Sequence, residues 1–447
     1  MDIRLSEIIA ALSHALDVTE GQPLGHAERT CLIGLRLADE AGLPASERSS
    51  LFYALLLKDA GCSTTSSTTA DLFGADEHQV KYEGRLVDPR RPRQALRYLS
   101  RTVAPGAPLL RRGKHLRALV AMGVDGARRL GEMRCERGAE VARAIDLDED
   151  AAVAIYQLDE HWDGHGYPEG LSGEAISPLA RVICLAQTME VFWQRGGPRG
   201  ACDVARVRRG TWFDPRLVDA VAAFEHDVAF WASLIEPDVD AHEPADRIER
   251  ADDDRLDRVA EAFAQIVDAK SPYTARHSAG VADIAVGIAT VMGADPATLR
   301  LLRRAGLLHD VGKLGVSNRI LDKPGKLDDA EWAAMRRHPE LSATILESVP
   351  ALADVARLAA VHHERLDGTG YPNGLSADRL DLPSRILQVA DVAEALSAER
   401  PYRAALPAAE VLAIVRADAG TKLDARAAAA LERWLSSRGA IALRAAA

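Results

Sequence analysis

The stretch LLHDVGK, residues 307–313, places an imidazole next to a carboxylate. His309 and Asp310 are adjacent, and Lys313 follows three residues later. An imidazole nitrogen and a carboxylate oxygen are both suitable ligands for a divalent metal. The apolar residues before the pair predict a buried helix, and a buried carboxylate needs a partner such as a cation. Because neighbouring residues on a helix point about 100° apart, both side chains reach one ion only if it lies close to the backbone. The alternative for the pair alone is an ordinary core histidine.

Further metal-ligand residue types occur in the same half of the chain. Five histidines and two aspartates, the latter predicted to lie in helices, make up the set: His277, His309, His338, His362, His363, Asp310 and Asp391. Seven nitrogen and oxygen donors exceed the four that one tetrahedral ion needs. They fit two ions that a carboxylate bridges at about 3.5–4 Å. Imidazole mixed with carboxylate favours iron, manganese or zinc over calcium or magnesium, and no cysteine follows residue 202.

Two bridged ions suit the hydrolysis of a phosphodiester, because they lower the pKa of a bridging water and hold the phosphate oxygens. Lys313 would supply positive charge toward the phosphate. Arg400 and Arg403 are three residues apart, so they share one face if the segment is helical. There they would receive a second phosphate or a nucleobase. The alternative is a pair of surface arginines at a helix end.

Helices are predicted to position these residues. Residues 256, 259, 263 and 266 are apolar at helical spacing, and residues 277, 281, 284, 288 and 291 share one face. A helix near 328–347 would carry His338, and a helix near 352–363 would end in His362 and His363. A further helix would carry Asp391. No convincing strand pattern occurs, so the expected fold class is all-α.

The chain has 447 residues, enough for two or three domains. Its formal net charge of −11 argues against non-specific binding to nucleic acid or to an anionic membrane surface. No apolar run reaches 18 residues, and the first residues do not resemble a signal peptide. A cytoplasmic location is therefore expected. Reduced thiols are expected for the five cysteines, which are Cys31, Cys62, Cys135, Cys184 and Cys202.

Composition divides the chain into a helical domain at 1–235, an acidic, proline-containing linker at 236–254 and a second domain at 255–447. The Ser/Thr-rich residues 63–76 predict a loop or surface turn. Residues 85–114 are rich in arginine, which predicts a basic patch for an acidic partner or a nucleotide, or else a solvated helix face. These arginines are Arg85, Arg90, Arg91, Arg93, Arg97, Arg101, Arg111 and Arg112.

The second domain resembles the HD-GYP family of cyclic di-GMP phosphodiesterases. Order and spacing match in YTARHSAGVA (273–282), LLHDVGKLGV (307–316), ILDKPGKLDDAEWAAMRRHPE (320–340), VHHERLDGTGYPNGL (361–375) and RILQVADVAEAL (385–396), followed by RPYR (400–403). The resemblance implies a helical bundle of the HD superfamily. It also implies a bi- or trinuclear iron or manganese centre, and hydrolysis of a cyclic dinucleotide to pGpG or GMP.

Carried over by position, the resemblance makes all seven histidines and aspartates metal ligands, with Asp310 bridging the ions. Lys313, Arg400 and Arg403 would meet the phosphates. Family members with a third metal have Glu where this chain has Tyr273, so two ions are expected here. The usual ADVFDAL reads ADVAEAL, with Ala393 and Glu394, and a usual glycine is Ser342. These changes remove no ligand.

The first domain repeats the same pattern. His26 precedes Asp59 by 33 residues, as His277 precedes Asp310. Residues 162–183 are similar in sequence to residues 366–387, at an offset of 204. The offset at the HD motif is 251, so the first copy holds about 47 extra residues. The other ligand positions are replaced by Lys58, Arg134, Leu158, Asp159 and Gln187. This copy is interpreted as non-catalytic, with Lys58 and Arg134 replacing the metal charge opposite Asp59.

The leading hypothesis is a metal-dependent phosphodiesterase that degrades cyclic di-GMP. The alternatives are an HD-type hydrolase of another nucleotide, such as cyclic GMP-AMP, and a non-catalytic nucleotide sensor or scaffold. Neither nucleic acid nor a membrane is expected as a partner. The first domain and the loop at Gly370–Pro372 are the candidate surfaces for a homodimer or a signalling partner.

Overall fold

The computed structural model describes residues 3–245 and 248–438, and these residues are almost entirely helical, which confirms the all-α fold class. The chain forms two compact units, Met1–Arg255 and Leu256–Ala447. None of the described helices is both long enough and apolar enough to cross a membrane.

The first unit is built around α2, which packs against α1, α3 and α9. Its helices are α1 (Leu5–Thr19), α2 (His26–Glu40), α3 (Arg48–Leu57), α4 (Ser66–Phe73), α5 (Glu77–Arg85), α6 (Pro92–Thr102), α7 (Leu109–Ala144), α8 (Glu149–Tyr156), α9 (Pro178–Val207), α10 (Pro215–Ala220) and α11 (Val228–Ser233). Short 3-10 turns occupy Ala45–Glu47, Cys62–Thr65, Gly173–Ala175, Val221–Ala223 and Asp240–His242. Non-helical backbone at Gly123 and Gly197 interrupts α7 and α9.

The second unit is built around α13, which packs against α14, α19 and α21. Its helices are α12 (Asp253–Asp268), which begins just before the boundary, α13 (His277–Val291), α14 (Pro296–Leu308), α15 (Asn318–Leu321), α16 (Asp329–Met335), α17 (His338–Glu347), α18 (Ala353–Val361), α19 (Leu382–Ser397), α20 (Ala408–Asp418) and α21 (Ala425–Arg438). The 3-10 turns are Val311–Gly315, Pro350–Leu352 and Ala377–Arg379.

The acidic segment 236–254 is more structured than a linker. It contains the 3-10 turn Asp240–His242 and a two-residue strand, β2 (Arg250–Ala251). This strand pairs antiparallel with β1 (Ile3–Arg4), near the start of the chain. The hydroxyl of Tyr53 also donates a 3.0 Å hydrogen bond to Glu243 in this segment. These contacts place the segment within the first unit, as far as Arg255.

Two local predictions were wrong. The helix expected near 328–347 is divided into α16 and α17, because Pro339 has no N–H group to donate to the Met335 carbonyl, as a continuous helix would require. The Ser/Thr-rich residues 63–76 form mainly the last part of a 3-10 turn and α4. There the Ser66 hydroxyl donates to the Cys62 carbonyl, and the Lys81 ammonium donates to both groups at 2.9 and 2.8 Å. A side chain from the next helix therefore stabilises this segment.

Candidate metal centre

The seven predicted ligands converge in the second unit, and most lie at helix ends. His277 and His338 are the first residues of α13 and α17, whereas His309 and Asp310 follow α14 directly. The others are His362 and His363, directly after α18, and Asp391 within α19. All are buried except His363, whose side chain is 24% exposed. Helix ends let side chains point along the helix axis, so several helices can direct donors to one point.

His309 and Asp310 lie at the end of a helix, whereas the sequence predicted a position within it. α14 ends at Leu308, and His309 still has helical backbone angles. Asp310 leaves them, with φ −101° and ψ 10°, and the 3-10 turn follows. Because the helix stops between the two residues, adjacent side chains reach the same site. Gly312 allows this, since a Cβ atom there would lie 2.2 Å from the His338 carbonyl oxygen.

Asp310 lies between two pairs of histidines. Its Oδ2 atom is 3.3 Å from Nε2 of both His277 and His309. Its Oδ1 atom is 3.3 Å from His338 Nε2 and 3.6 Å from His362 Nε2. Each carboxylate oxygen therefore faces its own pair of imidazoles, which is the arrangement of a bridging ligand.

Asp391 and His363 complete two groups of donors. Asp391 Oδ1 is 3.5 Å from His277 Nε2 and 3.9 Å from His309 Nε2, while its Oδ2 is 3.7 Å from His363 Nδ1. His277, His309 and Asp391 form one group whose donor atoms lie within 4.8 Å of one another, and His338, His362 and His363 form another. The site thus has two donor groups joined by Asp310.

Backbone hydrogen bonds orient three of the imidazoles. In each case Nδ1 bonds a carbonyl oxygen three residues earlier: His309 to Gly306 at 2.8 Å, His338 to Met335 at 2.7 Å and His362 to Ala359 at 2.6 Å. A bond from Nδ1–H to a carbonyl leaves Nε2 as the acceptor nitrogen. Such supporting bonds commonly fix the tautomer of metal-binding histidines.

At His277, Nδ1 contacts the side chain of Glu394 instead of a backbone carbonyl. Arg400 Nη2 lies 3.5 Å from the same Glu394 oxygen. The sequence analysis treated Glu394 only as a departure from the family pattern. Its spacing of three from Asp391 was the available signal, because residues three apart on a helix share a face.

The charges of the cluster shift several pKa values. Burial alone would lower the pKa of His277, but Glu394 and Asp310 raise it to about 10. Burial lowers the pKa of His338 to about 4, against the opposing effect of Asp310. Burial would raise the pKa of Asp310, yet His309 and Lys313 hold it well below its usual range. Asp310 is therefore a carboxylate that depends on neighbouring positive charge.

The donor set fits divalent metal ions. His277 Nε2, His309 Nε2 and Asp310 Oδ1 are buried and have no hydrogen-bond partner among the residues that the structure describes. Buried polar atoms are nearly always paired, so unpaired donor atoms on both sides of the Asp310 carboxylate fit a site for cations. Imidazole nitrogens and carboxylate oxygens in this ratio suit iron, manganese or zinc. All donors are supplied by the second unit.

Lys313 contacts the bridging carboxylate directly. Its Nζ atom is 2.5 Å from Asp310 Oδ2, and its side chain is 18% exposed. The side chain is thus close to the donor groups and partly exposed to solvent. From there it is able to meet a negatively charged group that approaches Asp310.

Arg400 and Arg403 would share a face only if their segment were helical, and the structure has no helix there. Residues 400–403 form a tight turn in which the two backbones pair, with Arg400 N to Arg403 O at 2.8 Å. Pro401, second in this turn, has no N–H group to continue a helix. The Arg403 guanidinium donates to the carbonyls of Ala395, Leu396 and Ala404 at 2.7–2.9 Å. It therefore caps the C-terminal end of α19.

The glycine-rich loop after α18 is fixed to the cluster. Glu364, next to His363, accepts backbone hydrogen bonds from Asn373 at 2.7 Å and Leu375 at 2.9 Å. The ring of Tyr371 lies 4.8 Å from that of His363, and the Tyr371–Pro372 peptide bond is cis. The loop thus covers the most exposed ligand. The sequence analysis did not identify Glu364 in this role.

The first unit repeats several of these contacts. A Cβ atom on Gly61 would lie 1.8 Å from the Arg134 carbonyl oxygen, as one on Gly312 would meet that of His338. His26 Nδ1 contacts Glu190, as His277 contacts Glu394. Glu160 accepts from two loop amides at 2.7 and 3.0 Å, as Glu364 does. These contacts match the pairing of positions predicted from the two sequence offsets.

Cationic side chains fill the corresponding centre of the first unit. Lys58 contacts Asp59, as predicted, but Arg134 pairs with Asp159 and the Tyr167 hydroxyl instead of Asp59. The other charge opposite Asp59 comes from Arg85, the last residue of α5. Its guanidinium lies 3.3 Å from Asp59, 2.9 Å from Glu20, 3.1 Å from the Gln187 side-chain oxygen and 3.7 Å from Asp159. From the sequence, Arg85 was assigned only to a basic segment and not to the site around Asp59.

The known proteins that are similar to this chain include an HD domain family and cyclic dinucleotide phosphodiesterases. The HD domain family model matches residues 125–217 and 261–427. A 3'3'-cGAMP-specific phosphodiesterase of Vibrio cholerae is 41% identical over 97% of this chain and 95% of its own. A cyclic di-GMP phosphodiesterase of Pseudomonas aeruginosa is 41% identical, but over 31% of this chain and 34% of its own.

A solved structure has a similar fold along the whole chain. It is the crystal structure of a cyclic GMP-AMP specific phosphodiesterase of V. cholerae, with a TM-score of 0.66 and 38% identity over 98% of each chain. The family model covers more than half of the present chain and matches parts of both units. Together with the histidine–aspartate cluster, these similarities show that the chain belongs to the HD domain family, and within it to the HD-GYP phosphodiesterases.

Proposed function

We propose that the second unit is a metal-dependent phosphodiesterase that hydrolyses a cyclic dinucleotide. The observation that carries this proposal is the position of Asp310, whose two oxygens face separate pairs of histidines at 3.3–3.6 Å. His277, His309 and Asp391 would hold one divalent ion, and His338, His362 and His363 the other, with Asp310 shared. When bound, two such ions supply an activated water and a clamp for the phosphate oxygens.

The residues of the chain orient this chemistry. The backbone carbonyls behind His309, His338 and His362 keep Nε2 directed at Asp310. Lys313 is the proposed contact for the scissile phosphate, because its ammonium group is beside Asp310 and partly exposed. Arg403 is a weaker candidate for a phosphate contact, since its donors bind carbonyl oxygens. Arg400 is proposed to position Glu394, and through it His277.

We propose 3'3'-cGAMP as the first substrate to test and cyclic di-GMP as the second. The relative specific for 3'3'-cGAMP is similar along 97% of the chain, including the first unit. The cyclic di-GMP phosphodiesterase of P. aeruginosa is similar over 31% of it. This difference favours 3'3'-cGAMP over the substrate expected from the sequence analysis. Hydrolysis of both is the remaining alternative, because the two substrates differ in one nucleobase only.

The test is turnover of both cyclic dinucleotides by the full-length chain, purified and then loaded separately with iron, manganese and zinc. Linear products are separated by chromatography, and metal content is measured on the same samples. We expect a linear dinucleotide or mononucleotides to form from 3'3'-cGAMP with a higher kcat/KM than from cyclic di-GMP. Equal or reversed kcat/KM values would reject the substrate assignment. No product from either substrate at full metal occupancy would reject the enzymatic assignment.

The first unit is proposed to be a non-catalytic copy. Three basic side chains, Lys58, Arg85 and Arg134, lie where the second unit has its donor groups. Positive charges at these distances repel an incoming metal ion. In this proposal the first unit contributes stability or regulation, and it contributes no ligand to the second.

A further inference from the structure

A cavity of about 270 Å³ opens in the basic segment of the first unit, and none of the functions above uses it. Its walls come from the end of α5 and the residues after it, from α6 and from α9. Its lining includes Glu83, Leu86, Arg97, Tyr98, Arg101 and Arg195. A volume near the lower end of the usual range for ligand pockets suits a small molecule.

The cavity carries an excess of positive charge. Three of its side chains are guanidiniums, and Glu83 is the one carboxylate among its described lining residues. Arg101 lies 4.0 Å from Glu83. The side chains of Arg97 and Arg195 have no hydrogen-bond or ion-pair partner among residues 3–245 and 248–438. Two guanidiniums are therefore available for an anion.

The cavity lies in a basic stretch of the sequence, in which Arg90 and Arg91 pair with Asp88. Residues 89–124 contain nine lysines and arginines and no aspartate or glutamate, in a chain whose net charge is −11. A guanidinium offers two parallel N–H groups to a phosphate, which makes arginine effective for phosphate recognition. An anionic ligand that has a phosphate group thus matches the rim.

One wall of the cavity is apolar and held in place. The Tyr98 hydroxyl donates to the Val80 carbonyl at 3.1 Å, and its ring packs edge-on against Phe73 at 5.8 Å. Leu86 lies beside it in the lining. A fixed aromatic ring and an aliphatic side chain form a surface on which a flat ring can stack. The same cavity thus offers a place for a base next to a place for a phosphate.

From this combination we propose that the cavity binds a nucleoside monophosphate or a ligand of the same class, one phosphate joined to one flat ring. The cavity lies in the first unit, so the site is distinct from substrate binding in the second unit. Leu86 directly follows Arg85, which holds the ion-pair centre of the first unit. Binding here would therefore stabilise the segment that supplies Arg85.

The probe is GMP, titrated calorimetrically into the full-length chain in excess chelator, so that metal-assisted binding by the second unit does not contribute. Arg97→Ala/Arg195→Ala removes both unpaired guanidiniums. Arg93→Ala is the matched control, because it removes an exposed arginine of the same segment that does not line the cavity. We expect the double variant to bind GMP at least tenfold more weakly, the control to bind it as wild type does, and turnover to be unchanged in both.

Guanosine and inorganic pyrophosphate test the two halves of the site. Both should bind more weakly than GMP, because each lacks one of the two groups. Pyrophosphate that binds as tightly as GMP would overturn the proposal, and so would guanosine that does so. No binding of GMP at millimolar concentration, or equal losses in the double variant and the control, would also overturn it. Arg195→Glu is the second variant if the double variant is unstable, and it should abolish GMP binding.

Discussion

Asp310 depends on positive charge from several directions at once. It is buried beside four imidazole groups, and Lys313 is its one ammonium contact among the described residues. Burial of a carboxylate costs free energy unless charge or hydrogen bonds compensate. Removing this side chain should therefore affect metal binding and catalysis together.

Asp310→Ala is predicted to abolish turnover of the cyclic dinucleotide and to lower bound metal by at least half, because both donor groups lose their shared oxygen ligand. Metal analysis and product chromatography of the folded variant test this. Asp354→Ala is the control, since Asp354 is exposed and its one ion-pair contact among the described residues is with Arg357, at 3.8 Å. A variant that keeps wild-type turnover with metal bound would reject the shared-ligand assignment.

Lys313→Ala is predicted to keep its metal and lose rate. Removing one preorganised positive group from a phosphate site costs about 10²–10³-fold in kcat, by analogy with other charge-stabilising groups. The measurement is metal content beside kcat and KM. If metal content falls while the fold survives, the contact with Asp310 serves to hold the ligand, and the phosphate role is wrong.

Residue types and spacing were sufficient to predict that the seven proposed ligands lie together, because each is a strong donor and no other histidine occurs in residues 256–447. They were not sufficient to predict Glu394, Glu364 or the backbone carbonyls that orient the imidazoles. Those contacts join residues up to 117 positions apart, as His277 and Glu394 are. A single sequence does not reveal which of many acidic residues comes close to a given histidine.

At the scale of single elements, helix ends carry most of the site. α13 begins directly after Arg276, whose φ of 65° is unusual for a residue other than glycine. The Asp268 carboxylate holds this start by accepting from the Ser278 amide and hydroxyl at 3.2 and 2.8 Å. The corresponding Asp17 accepts from the His26 and Ala27 amides at 2.9 Å. In both units a buried carboxylate thus positions the first histidine.

Arg403→Ala is predicted to destabilise α19 by about 1–2 kcal/mol, the usual range for lost hydrogen bonds of a partly exposed charged group. Its KM for substrate should change less than twofold, because the guanidinium binds carbonyls at the end of that helix. Thermal unfolding and steady-state kinetics are compared with Arg426→Ala, which removes an exposed arginine of α21. An unchanged melting temperature with a large rise in KM would favour the phosphate contact implied by the family resemblance.

Lys58→Ala is predicted to destabilise the first unit by about 1–3 kcal/mol, because Asp59 loses a buried charge partner at the end of α3. Arg85→Ala should cost more, about 3–5 kcal/mol, since Arg85 serves several acidic groups and breaking a buried ion pair is strongly destabilising. Calorimetric unfolding tests both, with Arg93→Ala as control. Metal content of the second unit should not change. Unaltered unfolding in both variants would reject charge replacement.

Element prediction from the sequence succeeded where apolar periodicity was strong, as in α12 and α13. It failed where a distant side chain decides the local structure. Residues 63–76 have loop-like composition, but Lys81 and Ser66 tie them into a 3-10 turn and α4. The division between α16 and α17 was in principle visible at Pro339, which cannot donate the backbone hydrogen bond that a continuous helix needs.

At the scale of the molecule, the two units should respond differently to metal removal. Chelation is predicted to lower the unfolding temperature of the second unit and to leave that of the first unchanged. A ligand at 100 times its Kd stabilises the folded state by about 2.7 kcal/mol, and this contribution disappears with the metal. Scanning calorimetry of the full-length chain with and without chelator tests this. A single transition that shifts as a whole would contradict it.

A repeat could be proposed from the sequence because His26, Asp59 and the glycine-rich loop keep the order and spacing of their counterparts in the second unit. The boundary of the first unit was not, because the acidic segment looked like a linker although β2 pairs with β1. The sequence also did not reveal which residue supplies the main positive charge opposite Asp59. It comes from the segment of about 47 extra residues, where spacing alone gives no partner for Arg85.

The Arg85 side chain is covalently part of the chain, so dilution, competing ions and chelators do not remove it from Asp59 and Glu20. A metal ion in the second unit would come from the surroundings, and its occupancy would follow their composition. The charges of the first unit are therefore balanced as soon as the chain is synthesised. Those of the second unit would be balanced only when metal ions are available. In a cell short of metal, the first copy would persist as a folded body attached to an inactive one. The proposed turnover would then depend on the supply of metal, while the first unit would stay folded.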